Sequence, residues 1–310
     1  NGYSIYIGIP FCPTRCVYCS FTAYPYHLWE HRAEEYIERI GGELADITVL
    51  SHGGILDANA LLGKKLQTIY IGGGTPSVLS AELIEKLMCT IESYVDIRSL
   101  AEFTFEAGRP DTITMEKLEV LKRHGVTRIS INPQTMCQKT LDLIGRRHTV
   151  EQIRDTFCLA REMGFDNINM DIIAGLPGEN IDDFRYTLSE IGRLDPDNLT
   201  VHTLAVKRAS RLNTEGNAWG GMDRKGLDES GINEVLQMTE LGAGYAAEHG
   251  LYPYYMYRQK NMAGSLENIG YAKPGTENLY NLLMMEERHS VISCGAGSST
   301  KKVNADGSVE

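Results

Sequence analysis

Apolar residues along this chain switch between two periods. Runs with a period of two predict strands at Ser4–Pro10, Gln67–Gly72, Glu102–Ala107, Arg128–Gln134, Asn167–Ala174 and Asn198–Ala205. Between them, amphipathic stretches with a helical period cover Glu30–Leu50, Ala81–Val95, Met115–His124, Val150–Met163 and Asp182–Leu194, and a sixth, Glu229–His249, follows the last strand. Ser80 precedes Ala81 as a start signal, while Gly125 and Gly164 follow final turns as stop signals. Six strand-then-helix units in series imply a parallel sheet with helical crossovers, so the fold class is α/β. Residues 251–310 lose the rhythm. They are rich in Tyr, Gly and Asn and predict an irregular extension with two more strands.

The strands distinguish a barrel from a doubly wound sheet. A sheet covered by helices on both faces has strands that read as continuous apolar runs. Here they alternate: Phe103 and Phe105 with Thr104 and Glu106, Ile129 and Ile131 with Ser130, Asn132 and Gln134. Ile168, Met170 and Ile172 alternate likewise with Asn167, Asn169 and Asp171. One face therefore meets helices and the other is polar. A polar face turned inward suits a partial barrel whose lumen holds a ligand, with chemistry at the C-terminal strand ends. Glu106, Gln134 and Asp171 lie toward those ends.

A loop at the end of the first strand carries three of the seven cysteines, Cys12, Cys16 and Cys19, spaced C-x3-C-x2-C. Three converging thiolates point to an iron–sulfur cluster with three protein ligands. The competing reading is a structural zinc completed by His27 or His31, but zinc ribbons pair two C-x2-C motifs and one is present here. The scattered Cys89, Cys137, Cys158 and Cys294 read as small buried hydrophobes. An odd cysteine count without a disulfide framework indicates a reducing, cytoplasmic setting.

Ile71-Gly72-Gly73-Gly74-Thr75-Pro76-Ser77 follows the second strand and matches neither a dinucleotide fingerprint nor a P-loop. A glycine triplet there lets backbone approach a polar ligand closely. Glu106 and Asp171 suit ribose hydroxyls, and Arg146 suits a ligand carboxylate. The net charge of −11 disfavours a nucleic-acid partner, although a local set of cations, Lys207, Arg208, Arg211 and Arg258, could meet anionic substrate groups. Gly295 to Ser299 form a weak glycine loop after an apolar run. No apolar run reaches the roughly 18 residues of a membrane span. The chain opens Asn-Gly-Tyr-Ser, with no secretory signal and no initiator Met, as expected of a fragment or trimmed chain.

With Tyr6-x-Gly8-Ile9-Pro10-Phe11 ahead of the three cysteines and Gly72-Gly73-Gly74-Thr75-Pro76 after them, the sequence resembles the radical S-adenosylmethionine (SAM) superfamily. Within it the resemblance, from about Tyr3 to Gly297, is to the HemN-like oxygen-independent coproporphyrinogen III oxidases and their relatives, with the HemZ branch the best match. It implies a partial (β/α)6 barrel over residues 1–249, a truncated extension over 250–310 packing on it, and a [4Fe–4S] cluster on Cys12, Cys16 and Cys19. One SAM, or two, would be contacted by Tyr6, Tyr18, Gly73, Gly74, Thr75, Glu106, Gln134, Arg146, Asp171 and Ala205. The implied activity is oxidative decarboxylation of coproporphyrinogen propionates to vinyl groups. The implied partners are an anionic tetrapyrrole and a small electron-transfer protein such as a flavodoxin or ferredoxin, for a monomer binding neither nucleic acid nor membrane. Gly8 stands where the oxidases have His, and Phe21 where they have a fourth Cys. Relatives with the Phe include haem chaperones that keep the cluster, and enzymes acting on haem itself are a further alternative.

Overall fold

The computed structural model describes residues 2–19, 21, 23–51, 64–205, 210–214, 229–258, 266–304 and 306–310. All six expected strands form: β1 (Gly2–Ile9), β2 (Lys65–Gly73), β3 (Glu102–Gly108), β4 (Arg128–Ile131), β5 (Ile168–Ala174) and β6 (Asn198–Thr203). They pair in sequence order, all parallel. The long helices follow suit: α1 (Ala33–Ser51), α2 (Ala81–Glu92), α3 (Met115–Arg123), α4 (Val150–Glu162), α5 (Ile181–Leu194) and α6 (Glu229–Glu248). Local chemistry sets their ends. The Ser80 hydroxyl accepts from the Leu83 amide at 3.3 Å. Thr149 with Gln152, and Asn180 with Asp183, form reciprocal capping boxes. Gly125 and Gly164 take φ of 72° and 81°, left-handed angles that let the chain leave a helix without a Cβ clash.

The extension yields three strands rather than two: β7 (Tyr252–Tyr257), β8 (Asn268–Ala272) and β9 (Ser290–Cys294). They join the same sheet at both edges. Its order is β9-β1-β2-β3-β4-β5-β6-β8-β7, with β9 parallel to β1 and β8 antiparallel to both β6 and β7. The six-stranded partial barrel is thus the centre of an open nine-stranded sheet. No pairing joins β9 to β7 among the described residues. Pro253 sits on the outermost strand, where its missing N–H costs no ladder bond.

The alternation seen in sequence is the division between the two faces. Ile5, Ile7, Ile69, Ile71, Phe103, Phe105, Ile129, Met170 and Ile172 are all buried against helix residues such as Ile37, Leu44, Leu87, Leu118, Phe157 and Ile191. Each such side chain contributes roughly 1.5–3 kcal/mol of apolar burial. The opposite phase, including Tyr6, Tyr70, Glu106, Ser130, Asn169, Asp171, Thr200 and His202, surrounds a cavity. Because residues of β1 and β7 line the same cavity, the sheet curves around it.

The extension also closes the N-terminal end of this lumen. Arg128 Nη1 donates to Thr276 O at 2.8 Å, and Asn198 Nδ2 to the same oxygen at 2.9 Å. The next residues begin α7 (Leu279–Met285), whose Leu279 and Tyr280 amides donate to the Glu102 carboxylate at 2.7 and 3.1 Å. Tyr280 then packs on Tyr70 with the rings tilted by 30° and their centroids 4.6 Å apart. None of the helices among the described residues is long and apolar enough to cross a membrane.

Candidate active site

The cysteine loop begins where β1 ends and is held from three sides. Phe11–Cys12 pairs with Tyr24–Pro25, and the Tyr24 amide donates to Pro10 O at 2.8 Å. The Thr14 hydroxyl donates to Gly145 O at 2.9 Å and accepts from Arg109 Nη1 at 2.6 Å. The Val17 amide donates to Ile144 O at 3.1 Å. On the third side lies the glycine loop. Gly74 N–H donates to Ile9 O and Thr75 N–H to Phe11 O, both at 2.7 Å, while the Thr75 hydroxyl points at Cys12 Sγ, 3.5 Å away. A Cβ on Gly74 would lie 2.5 Å from Phe11 O, so only glycine permits this approach.

The glycine loop is therefore first a strap for the cysteine loop. Gly73 N–H turns to the Glu106 carboxylate at 3.3 Å. With these amides engaged, and Thr75 O accepting from the Val78 amide at 2.9 Å, Gly73 and Gly74 offer a ligand carbonyl oxygens and bare Cα surface rather than N–H groups. That suits a cationic or donor group.

A cavity of about 450 Å³ opens above the loop. Its lining brings together Cys12, Cys16, Cys19, Tyr18, Gly73, Gly74, Thr75, Glu106, Gln134, Arg146, Asp171 and Ala205. Tyr6 instead lines an adjoining lumen of about 470 Å³. The two share Phe21, Gly73, Glu106, Asp171, His202 and Tyr257 as a common wall. Lys207 and Arg208 fall outside the described residues. Arg211 and Arg258 line neither cavity, and Arg258 is exposed and paired with Glu267 at 2.9 Å.

Electrostatics divide the wall. Burial pushes the Glu106 carboxyl up to about 7, with nearby Asp171 adding to the rise, although the Tyr70 hydroxyl donates to it. Burial works on Asp171 too, but His202, Asn169 and Thr200 outweigh it and hold that carboxyl below its usual range. His202 Nε2 lies 3.6 Å from Asp171, and Asn169 Nδ2 donates to it at 2.7 Å. Between β4 and β5, Gln134 takes φ of 70°, unusual for a residue with a Cβ, and exchanges backbone bonds with Asp171 and Ile173 at 2.9 and 3.0 Å. This strained turn delivers its side chain to the cavity.

Two buried groups on the cavity lining have no hydrogen-bond partner, Arg146 Nε and Asn132 Oδ1. A donor and an acceptor left open in one cavity are the signature of a missing polar ligand. The thiols tell a similar story. Burial pushes Cys12 up and Cys19 up to about 11, a penalty removed when cations take the thiolates. A tetrahedral zinc holds its sulfurs about 3.8 Å apart. The three Sγ atoms do not lie within 4.8 Å of one another, nor do they group with His27 or His31.

One expectation is corrected: of the four scattered cysteines, Cys137 and Cys294 are buried but Cys89 and Cys158 are exposed. On α2, Cys89 shares its phase with Glu85 and Glu92, opposite the buried Ile84, Leu87, Met88 and Ile91. The sequence reading also passed over Arg109, Tyr70, His202 and Tyr280. Tyr70 and His202 carry the inward strand phase and were legible from it. Arg109 and Tyr280 have no local signal.

A family model described as the radical SAM superfamily matches residues 6–191. The Bacillus subtilis oxygen-independent coproporphyrinogen-III oxidase-like protein HemZ is 44% identical over 304 residues, which cover 98% of this chain and 58% of that protein. The heme chaperone HemW of the same organism is 32% identical over 280 residues, 90% of this chain and 66% of its own length. Among solved structures, the Escherichia coli coproporphyrinogen III oxidase HemN, a radical SAM enzyme, superposes with a TM-score of 0.69 at 21% identity, covering 97% of this chain and 64% of that one. The chain thus spans 58% of HemZ and 64% of HemN.

Proposed function

Since the chain belongs to the radical SAM superfamily, we propose that it acts in tetrapyrrole metabolism, converting propionate side chains of coproporphyrinogen III to vinyl groups by oxidative decarboxylation. The observation that carries this reading is the wall shared by the two cavities, which sets the thiol-lined chamber directly beside a tyrosine-lined one. A substrate C–H presented at Gly73, Glu106 and Asp171 would face whatever occupies the first chamber.

The superfamily implies a [4Fe–4S] cluster and SAM, and the residues fit both. Cys12, Cys16 and Cys19 would supply three thiolates to the cluster. Carbonyl oxygens of Gly73 and Gly74 would accept from an ammonium group, and Arg146 would donate to a carboxylate. Glu106 and Asp171 would accept from ribose hydroxyls, while Tyr18, Gln134 and Ala205 would bound the remaining surface. When bound, the pair supplies reductive cleavage of the SAM sulfonium and with it a 5′-deoxyadenosyl radical able to take hydrogen from an unactivated C–H.

The second chamber suits a flat, largely apolar macrocycle. Tyr6, Tyr70, Tyr255, Tyr257 and Tyr280 offer ring faces edged by hydroxyls, and Met284 and Met285 offer pliable apolar surface. A small electron-transfer protein would deliver the electrons, in the cytoplasm, where seven unbridged cysteines are at home.

A second reading, a haem chaperone, is favoured by Phe21, which is 67% exposed on the rim of both chambers, and by the identity to HemW. One anaerobic assay separates the two. The cluster-loaded protein is incubated with SAM, a low-potential reductant and coproporphyrinogen III. Vinyl-bearing product formed together with 5′-deoxyadenosine is the expected result. Stoichiometric haem binding with no tetrapyrrole turnover would move the assignment to the chaperone.

A further inference from the structure

On the helical side of the sheet, away from both chambers, four metal-ligating side chains meet between α2 and the end of α3. Glu85, Cys89 and Glu92 occupy positions i, i+4 and i+7 of α2, so they form one stripe. His124, the C-cap residue just after α3, enters that stripe and is 7% exposed. Its Nδ1 lies 2.7 Å from Glu92 Oε1 and its Nε2 3.0 Å from Glu85 Oε1. Cys89 Sγ lies 3.9 Å from the same Glu85 oxygen. One donor atom each from Glu85, Cys89 and His124 lies within 4.8 Å of the other two, and no other group among the described residues does this.

We infer that Glu85, Cys89 and His124 bind a borderline-soft divalent cation, zinc, with Glu92 as the positioning residue that orients the imidazole. The donor set is sulfur, imidazole nitrogen and carboxylate oxygen, the combination zinc takes, and three protein ligands leave the fourth position to water. Glu92 occupies the ring nitrogen that the metal does not need. A carboxylate on Nδ1–H fixes the ring, and zinc would take the place of the Nε2 proton that now faces Glu85, the carboxylate–histidine–metal arrangement found around zinc. The local charge agrees. Glu85 and Glu92 bring two negative charges against Arg123, which is paired with the second Glu85 oxygen, while Lys86 on the same helix turns away to Glu34 and Glu38. Zinc here would clamp α2 to the end of α3, joining two successive strand–helix units.

The test uses the full chain with its cluster in place, dialysed anaerobically against zinc buffered at about 1 µM free ion. Elemental analysis should find about one zinc per chain, with iron and sulfide unchanged. Cys89→Ser should weaken zinc binding at least about tenfold, and Glu92→Gln by roughly 10–100-fold, again without loss of iron. Zinc should raise the thermal midpoint of the parent chain and not that of Cys89→Ser. Cys89 is exposed, so this variant decides even where His124→Gln fails to fold. No zinc uptake, uptake equal in Cys89→Ser, or zinc gained one-for-one with iron lost would each overturn the site.

Discussion

The Tyr70 hydroxyl on β2 donates to the Glu106 carboxylate on β3, across the wall between the two chambers. Burial nevertheless leaves Glu106 with a folded-state value of about 7 against an ordinary 4.5. Folded protein therefore holds a proton that unfolded protein has lost, and stability falls as pH rises from 4.5 toward 7. The loss is at most about 3 kcal/mol, less in a water-filled cavity. Urea unfolding of the parent chain and of Glu106→Gln at pH 5 and pH 8 isolates this contribution. The variant should lose less stability between the two, because amide does not titrate. Identical losses would mean that Glu106 ionises normally.

Gly74 is the position where the two loops of the site touch. An added Cβ would meet Phe11 O at 2.5 Å, Ile9 O at 2.9 Å and Cys12 Sγ at 3.1 Å, mostly backbone that cannot swing aside. Gly74→Ala should cost about 1–3 kcal/mol of stability and displace the cysteine loop. Iron and labile sulfide should drop with it while far-UV circular dichroism stays native. Full cluster occupancy in this variant would contradict the strap.

Much of this was legible because it is local. The strand phase that puts Phe103 and Phe105 outside and Thr104 and Glu106 inside is a period-two pattern, and caps such as Ser80 and Thr149 act within one turn. The candidate site gathers because Glu106, Gln134 and Asp171 share that phase near strand ends. Tertiary pairings were not legible. Nothing near Ser290 says that it will lie beside Tyr3, and nothing near Glu102 says that its carboxylate will meet an amide at Leu279. The glycine triplet announces close backbone approach, but the engagement of its amides by Ile9 and Phe11 depends on where another strand ends. Cys89 could have been placed correctly, since it stands at the phase of Glu85 rather than of Leu87.

Glu102 holds the extension in the lumen. Its two carboxylate oxygens accept from Leu279 and Tyr280 amides at the positive end of α7, and Thr104 adds a third donor at 3.2 Å. Glu102→Gln swaps one acceptor for an NH2 group that faces donors. We expect a loss of about 2 kcal/mol in urea denaturation, the usual scale for hydrogen bonds to a charged group. A change within about 0.5 kcal/mol, as at an ordinary surface position, would show that the α7 contact does not depend on the charge.

Arg146 offers the sharpest test of the proposed SAM site. Its guanidinium is buried, donates through Nη1 to Asn132 O, and leaves Nε without a hydrogen-bond partner. Arg146→Lys keeps one positive charge but removes the planar fork, so it can serve the Asn132 carbonyl or a ligand carboxylate, and not both. SAM affinity of the cluster-loaded protein, measured by equilibrium dialysis, should fall roughly 10–100-fold, equivalent to about 1.4–2.8 kcal/mol. Iron content is measured alongside, because the guanidinium also contacts the Cys16 thiol and the Tyr18 hydroxyl, and it should stay unchanged since lysine keeps the positive charge there. Gly145 directly precedes it in the chain and receives the Thr14 hydroxyl, so a variant that misfolded here would disturb the cysteine loop and lose iron. Weak SAM binding with full iron is therefore the outcome that assigns the open Nε to the ligand, and unchanged affinity would assign it elsewhere.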